Sequence, residues 1–460
     1  MEFTIDKANE YIKTNRGTVN SFYRAKFHME TPVGWMNDPN GLIKFNNKYH
    51  LFYQFNPYDS CPGPMHWGHF ISDDLIKYEH AEVALAPLVK EVGCFTGSAV
   101  VKDNKLHLIY THHYEKDGFR QENQHIATSS DGLHFEVNEK PLVDLSSLDD
   151  DLSTCDFRDP AVFEIDGLYY MFVGGKLKTN EGVLLVFKSA DLAHFEYDFK
   201  IGPRKEFGEM FECPDYFKIN DKDVFLFSAC AVKKEGNNYH NCNSSLYMIG
   251  KLDLINKTYE IENIKEIDKG DAFYAPKCIA NNEQIIMIGW LEMWGKEYKT
   301  HVLNHGYAGA FSIPRVLEYK DGFLYQKIID SLDKYIINQK LLNNGEIISR
   351  TSIVEFDIDS DFELIISSLD EQYDVKVYRK DGFIYLDTNN SNNLNALIRR
   401  SDYQYSYTNI QILLDSSSIE LFIENGKESI SSRVFLESEK YLVKYCNINN
   451  INYKEIEVNE

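Results

Sequence analysis

The sequence predicts an all-β chain in two parts, a five-bladed β-propeller followed by a C-terminal β-sandwich. Three observations carry this expectation: a short phrase that recurs five times, a composition rich in strand-forming aromatics, and a change of pattern after Arg315. At roughly 100 to 200 residues per domain, the 460 residues exceed one ordinary core. With 43% hydrophobic residues, including 4 Trp, 30 Tyr and 29 Phe, the chain has ample apolar surface to bury, which excludes disorder. The balance of 48 basic against 71 acidic residues, a net charge of −23, argues against a nucleic-acid backbone or an anionic membrane as a main partner.

Taken in order, residues 1–26 form a lead segment. Met1 to Asn15 (MEFTIDKANEYIKTN) has neither a basic n-region nor an apolar h-region, so no signal peptide is expected. The longest apolar runs, such as Val183 to Phe187, fall far short of the ~20 residues that span a bilayer. The eight cysteines are scattered without CxxC pairs, which reads as reduced thiols, no structural disulfides and a cytoplasmic location.

Residues 27–325 hold the repeat. A polar turn followed by an alternating aromatic strand occurs as NNKYHLFYQF (Asn46 to Phe55), DNKLHLIYTH (Asp103 to His112), DGLYYMFVGG (Asp166 to Gly175), DKDVFLFSAC (Asp221 to Cys230) and NNEQIIMIGW (Asn281 to Trp290). Aligned on Tyr49, Leu106, Leu168, Val224 and Ile285, the copies are spaced by 57, 62, 56 and 61 residues. A second phrase follows in the first three copies: SDDLIKY (Ser72 to Tyr78), SSDGLHF (Ser129 to Phe135) and SADLAHF (Ser189 to Phe195). Each unit therefore holds about four short strands, as a propeller blade requires. Two β-sandwiches side by side are the rival, but a sandwich gives no reason for such a period. Residues 326–340 read as an amphipathic linker helix, and residues 341–460 as the sandwich, with alternating strands such as SIVEFDI and IQILLD. The Asn-rich pieces at 389–395 and 447–452 read as loops.

The residues that lead into the aligned phrase should form the strand nearest the propeller axis. There lie WMNDPNG with Asp38, FRDPAV with Asp159 and MFECPDYF with Glu212, at similar offsets. Three acids at equivalent blade positions would converge at one mouth of the channel. Converging carboxyls suit glycosidic cleavage, which needs a proton donor to the leaving oxygen and a second carboxylate that attacks the anomeric carbon or activates water. Nearby anions stabilise the electron-poor transition state, and crowding raises one pKa so that the acid stays protonated. The plainer alternative is that each Asp-Pro or Glu-Cys-Pro is a turn whose acid caps backbone N–H groups; three in phase weigh against it.

Along nearly its whole length the chain resembles glycoside hydrolase family 32, the β-fructofuranosidases that include invertases and sucrose-6-phosphate hydrolases. The resemblance rests on WMNDPNG, FTGSAV (Phe95 to Val100), FRDP, ECPD, DAFYAPK (Asp271 to Lys277), Gly289-Trp290, GYAGAFSIPR (Gly306 to Arg315) and LDSSSIELFIENG (Leu414 to Gly426). It implies retaining hydrolysis at a fructosyl C2, most naturally in sucrose or sucrose 6-phosphate, with no cofactor. By motif position Asp38 would be the nucleophile, Glu212 the general acid/base and Asp159 the transition-state stabiliser. Arg158 would hold a carboxylate ionised and bind hydroxyls. Asn37, Gln54, Phe95, Thr96 and Trp290 match fructose-pocket positions, with Trp67 a further candidate. Blade packing is the competing role for Phe95, Trp290 and Trp67. Cys213, beside the acid, reads as a neighbour and not a nucleophile, since no His is positioned to activate it. The chain departs from the family pattern at Pro62 and Phe211, where relatives often carry Trp, and at Asp156, where they often carry His.

Metal and nucleotide chemistry find little support. His112 and His113 are adjacent and face opposite sides of a strand, His66 and His69 lie in a predicted strand, and no P-loop or strand-to-helix GxGxxG occurs. Other readings are a fructan exo-hydrolase or fructosyltransferase of the same fold, or an inactive carbohydrate-binding propeller. A small-molecule fructoside is the expected partner. For a phosphorylated substrate, Lys233 and Lys234 are candidate anion contacts.

Overall fold

Polar pairs at tight turns set the register of the first part of the chain. In this computed structural model, which describes residues 3–87, 93–138, 140–143, 148–280, 284–395 and 397–458, Asn46-Asn47, Asp103-Asn104 and Asp166-Gly167 all have left-handed φ (49°/63°, 51°/56° and 51°/80°). Two-residue hairpins whose twist matches the strands demand this, and Asn, Asp and Gly tolerate it best. The turn of the fifth phrase, residues 281–283, lies outside the described residues.

Five antiparallel sheets result. The first comprises Gly34–Phe45, Lys48–Asn56, His66–Ser72 and Tyr78–His80, with Tyr307–Ala308 added in parallel to its inner edge. The second holds Gly93–Lys102, Lys105–Lys116, Phe119–Ser129 and Glu136–Val137, and the third Leu152–Ile165, Leu168–Leu177, Gly182–Ser189 and Glu196–Ile201. The fourth holds Met210–Ile219, Lys222–Cys230, Asn243–Asp253 and Thr258–Glu266, and the fifth Tyr274–Ala280, Ile285–Trp290, Arg315–Lys320 and Phe323–Ile328. The leading strand of each sheet packs against the leading strand of the next, and the fifth packs against the first. The second recurring phrase is one turn built three times: Ser72, Ser129 and Ser189 accept from the backbone N–H of Leu75, Gly132 and Leu192 (2.8, 2.8 and 3.0 Å). Large apolar side chains fill the spaces between sheets, as where Phe172 of the third sheet meets Phe225 of the fourth at 4.9 Å.

Two expectations change. The stretch read as a linker helix, 326–340, is the end of a strand, one 3-10 segment at Asp330–Tyr335, and a strand at Ile336–Leu341. That strand pairs with Asn452–Ile456, more than a hundred residues away in sequence, so its backbone hydrogen bonds are invisible in the local pattern. Hence the C-terminal part begins near 336, not 341. In the lead segment Ile5–Asn15 is a helix capped by Thr4, with Ala8 and Ile12 buried.

The C-terminal part consists of two six-stranded sheets around one apolar core, which includes Leu364, Ile366, Val375, Val377, Ile412, Leu414 and Leu421. Buried charges tie it to the rest. Arg315, wholly buried, donates through Nη1 to Asp268 Oδ2 (3.0 Å), Gln326 Oε1 (2.7 Å) and Ser429 Oγ (3.1 Å), and through Nε to Glu420 Oε2 (3.1 Å). Glu420 Oε1 meets His28 Nε2 at 2.7 Å, and His28 Nδ1 meets Asp415 Oδ2 at 2.8 Å. Removing one partner from such a network typically costs ~3–5 kcal/mol, because the other charge is left buried and uncompensated.

Burial opposes a charge on His28, but Asp415 and Glu420 outweigh it and raise its pKa to about 9. A group raised on folding contributes stability that is complete below its unfolded pKa and is lost as pH climbs through the folded value. The melting temperature should therefore decline between about pH 6.5 and 9, at up to ~1.4 kcal/mol per pH unit from this group. His28→Gln should flatten that slope; parallel slopes in both proteins would show that His28 is not the titrating group.

All eight cysteines carry free thiols. Among the described residues no helix is long and apolar enough to cross a membrane.

Candidate active site

Each leading strand loses register with its neighbour inside a known motif. The breaks fall between Met36 and Pro39, Phe95 and Gly97, Arg158 and Ala161, Glu212 and Asp215, and Tyr274 and Lys277. They free Asn37 and Asp38, Thr96, Asp159, Cys213 and Ala275 from the ladder. A bulge of this kind re-aims a side chain, and the prolines that follow most of these positions have no N–H to lose. Asp159, Cys213 and Ala275 have left-handed φ of 66°, 50° and 49°, each at a cost of about 1–3 kcal/mol that surrounding structure must offset.

The shared geometry corrects one expectation. Asp159 corresponds to Cys213 and Ala275, in φ and in the proline that follows, so Glu212 stands one residue ahead of the position equivalent to Asp159. The three acids still lie close enough for their charges to act on one another.

Asp38 and Asp159 flank one thiol: Cys213 Sγ lies 3.4 Å from Oδ2 of each. Thr96 donates to Asp38 Oδ2 (2.7 Å) and Asn37 to Asp38 Oδ1 (3.1 Å), while the Trp35 indole fixes Asn37 at 2.9 Å. The backbone N–H of Cys213 donates to Asp159 Oδ2 at 2.9 Å, and that of Asp159 donates to Thr111 Oγ1 at 2.8 Å. Glu212 is gripped from both sides. Arg158 donates from Nη2 (2.5 Å) and Nε (3.1 Å) to Oε1, and the Tyr274 hydroxyl donates to Oε2 at 2.6 Å. Arg158 also donates to Glu122 (3.3 Å), which accepts from the Phe157 backbone N–H (2.8 Å).

These contacts divide the charges unequally. Burial pushes the Asp38 carboxyl up against the pull of Thr96 and Asn37, and Glu212's charge adds to the rise. Asp159 is pushed up to about 7, by burial and by the charges of Glu212 and Asp38, despite Arg158. Glu212 goes the other way: burial opposes its ionisation, but Arg158 and Tyr274 hold its pKa below the ordinary value. Burial, with mutual repulsion adding, thus favours a proton on the aspartates, whereas Arg158 and Tyr274 favour an ionised Glu212. Burial, with Asp159 and Asp38 adding, drives the Cys213 thiol well above its usual pKa, so it is no thiolate nucleophile.

The other predicted residues surround this centre. Gln54 donates to the Cys94 carbonyl at 2.9 Å. Phe95 is half-buried and stacks on His113 at 4.2 Å. Trp67 is fully buried, its indole donating to the Phe95 carbonyl (3.0 Å), and belongs to the core between the first two sheets, not to the site surface. Trp290 is as fully buried as Trp67 and packs with Trp35 (5.7 Å) and Trp294 (5.0 Å) into an aromatic wall that includes Tyr274 and backs on Cys213. Four contributors went unassigned from sequence: Tyr274, Glu122, Trp35 and Trp294. Tyr274 stands inside DAFYAPK, so the motif was visible and the role was not. Glu122 gave no sign of its role, since the Phe157 N–H and Arg158 that it holds lie 35 and 36 residues away, although His113 and Arg120 also meet it from nearby. Among the described residues no group of three or more His, Cys, Asp or Glu is placed to hold a metal ion.

Carboxyls from three strands beside an aromatic wall define a class, the glycosidases, whose reaction needs one acid and one anion at the same glycosidic bond. The chain belongs to glycosyl hydrolases family 32: the N-terminal domain of that family matches residues 28–328 and its C-terminal domain residues 331–459. It is 31% identical over 457 residues to a sucrose-6-phosphate hydrolase of Escherichia coli, covering 94% of this chain and 93% of that one. A raffinose invertase of E. coli is 30% identical over 455 residues, covering 94% and 93%. Among solved structures, the β-fructofuranosidase BmSUC1 of Bombyx mori superposes with a TM-score of 0.90 at 30% identity, covering 99% of this chain and 98% of that one; a mutant of it was solved in complex with sucrose.

Proposed function

We propose that this chain hydrolyses terminal non-reducing β-D-fructofuranosides, sucrose or sucrose 6-phosphate, with retention at C2 through a covalent fructosyl intermediate. The observation that carries the proposal is the meeting of Asp38, Asp159 and Glu212 around Cys213, with Glu212 alone held by a cation and a phenol. In this reading the five sheets are the blades of a five-bladed propeller, and the two C-terminal sheets form a β-sandwich. The cyclic packing of the leading strands supports the first, and the common core of the two sheets supports the second.

Asp38 attacks C2. Asn37 and Thr96 orient its carboxylate, each through one hydrogen bond to a different oxygen. Glu212 protonates the leaving oxygen and later takes a proton from water. Asp159 faces the fructosyl hydroxyls and stabilises the cationic transition state. The three carboxyls share protons as one set. Hydroxyls of a bound sugar that donate to Asp38 and Asp159 favour their anions, which releases the proton for Glu212. Trp290, Trp35 and Trp294 provide the apolar wall, and Gln54 and Phe95 the pocket's second side. The eight free thiols suit a reducing compartment, the cytoplasm.

The test is kcat/KM for sucrose, sucrose 6-phosphate and a short inulin or levan oligomer side by side, with the first-formed fructose anomer followed by NMR. One of the two sucrose forms should be the best substrate, with β-fructose released first. An oligomer preferred over both, or α-fructose first, would overturn the substrate or the retention respectively.

A further inference from the structure

A loop that reaches the site carries part of a group of basic side chains with few carboxylates to balance it. The loop that joins Lys222–Cys230 to Asn243–Asp253 carries Lys233, Lys234, His240 and Asn241. Arg399, from the C-terminal part, donates through Nη2 to Asn241 Oδ1 (2.9 Å) and meets His240 Nδ1 through Nη1 at 3.3 Å. Lys296 donates to the same Asn241 oxygen (3.3 Å) and to the Asp271 carbonyl (2.8 Å). One carboxylate, Asp271, lies 3.3 Å from Lys296; nearby Glu266 and Asp402 pair with Lys269. Arg399 Nε and His240 Nε2 have no hydrogen-bond partner among the described residues.

The cluster connects to the reacting end by a short path. Tyr274, which donates to Glu212, itself accepts from Asn243 Nδ2 at 3.2 Å. Asn241 is two residues from Asn243, no more than about 7.6 Å of chain. Between them Cys242 donates to the carbonyl of Trp294 (3.0 Å), whose ring belongs to the aromatic wall, and Lys296 follows two residues later. Glu212 serves the leaving group, so the cations lie on the leaving-group side of the bond.

We propose that His240, Lys296 and Arg399 bind the phosphate monoester of a phosphorylated leaving-group sugar, so that the enzyme reads sucrose 6-phosphate in preference to sucrose. This rests on the fructosidase reading above. A guanidinium and an ammonium that share one amide oxygen present convergent donors, which a phosphate dianion can accept together. Burial pushes both Lys296 and Arg399 below their usual pKa in spite of Asp271, the mark of cations short of counter-charge. Locally concentrated cations also answer the objection of the chain's net −23, since binding depends on the potential at the site and not on the total. Burial, Arg399 and Lys234 together lower the His240 pKa to about 4, so His240 meets the phosphate as a neutral N–H donor within the field of its neighbours.

The experiment compares wild type with Arg399→Ala and Lys296→Gln, in the full chain, on both sucrose and sucrose 6-phosphate. Each variant should lose about tenfold or more in kcat/KM on the phosphorylated sugar, mainly through KM, and change little on sucrose. Independently of any variant, glucose 6-phosphate should inhibit the wild type at least about tenfold better than glucose, by the same contacts. Equal losses on both sugars, or equal inhibition by glucose and glucose 6-phosphate, would overturn the assignment. A wild type that cleaves neither substrate would overturn the fructosidase reading, and this proposal with it.

Discussion

Asp38→Ala should lose kcat by roughly 10³-fold or more while folding as the wild type does. The substitution removes the oxygen proposed to attack and three hydrogen bonds, from Asn37, Thr96 and Cys213, without opening a cavity in the apolar core. Loss of charge near the transition state would also slow the reaction, so the loss alone does not identify a nucleophile. Azide separates the two. In Asp38→Gly a small external anion can enter the vacated space and attack C2 once, giving an α-fructosyl azide of inverted configuration. An Asp38→Ala enzyme with wild-type kcat would refute the assignment, and a rescued product of retained configuration would refute direct attack by Asp38.

Glu212→Ala should fall by roughly 10²- to 10⁴-fold on sucrose, the usual worth of a positioned proton donor. Its kcat/KM, which reports the first step, should fall far less on β-fructosyl fluoride, whose leaving group needs no proton to depart. The deglycosylation half-reaction also uses this carboxyl as base, so the intermediate should accumulate on the fluoride and show as a burst. Removing Glu212 leaves Arg158 with Glu122 and Asp156 as partners, so the guanidinium stays compensated and the fold is kept. An equal fall on both substrates would mean that Glu212 only holds Arg158 in place.

How much of this was legible in the sequence depended on whether a signal was local. The recurring turn-and-strand phrase was legible because hairpin register depends on two or three adjacent residues, such as Asn46-Asn47. The three carboxyls, Asp38, Asp159 and Glu212, were legible because each lies in or beside a bulge that a proline follows. The strand at Ile336–Leu341 was not, because the partner that makes it a strand is Asn452–Ile456. Glu122 was hidden for the same reason: nothing near it in the chain announces Arg158. The one-residue offset of Glu212 was missed because spacing counts residues and cannot show where the backbone turns left-handed, as it does at Asp159 and Cys213. The His240, Lys296 and Arg399 group gathers from three distant segments, and only Lys233 and Lys234 on the shared loop pointed toward it.

The buried Arg315 has a consequence for the timing of synthesis. Its main carboxylate partner, Glu420, lies 105 residues further along the chain. At about 5–20 residues per second, the guanidinium leaves the ribosome roughly 5 to 20 s before the group that balances it. During that wait Arg315 can already meet Asp268, made earlier, but Glu420 and the serines of the same late segment are missing. The seam between the fifth sheet and the C-terminal part is therefore completed only when the last quarter of the protein arrives.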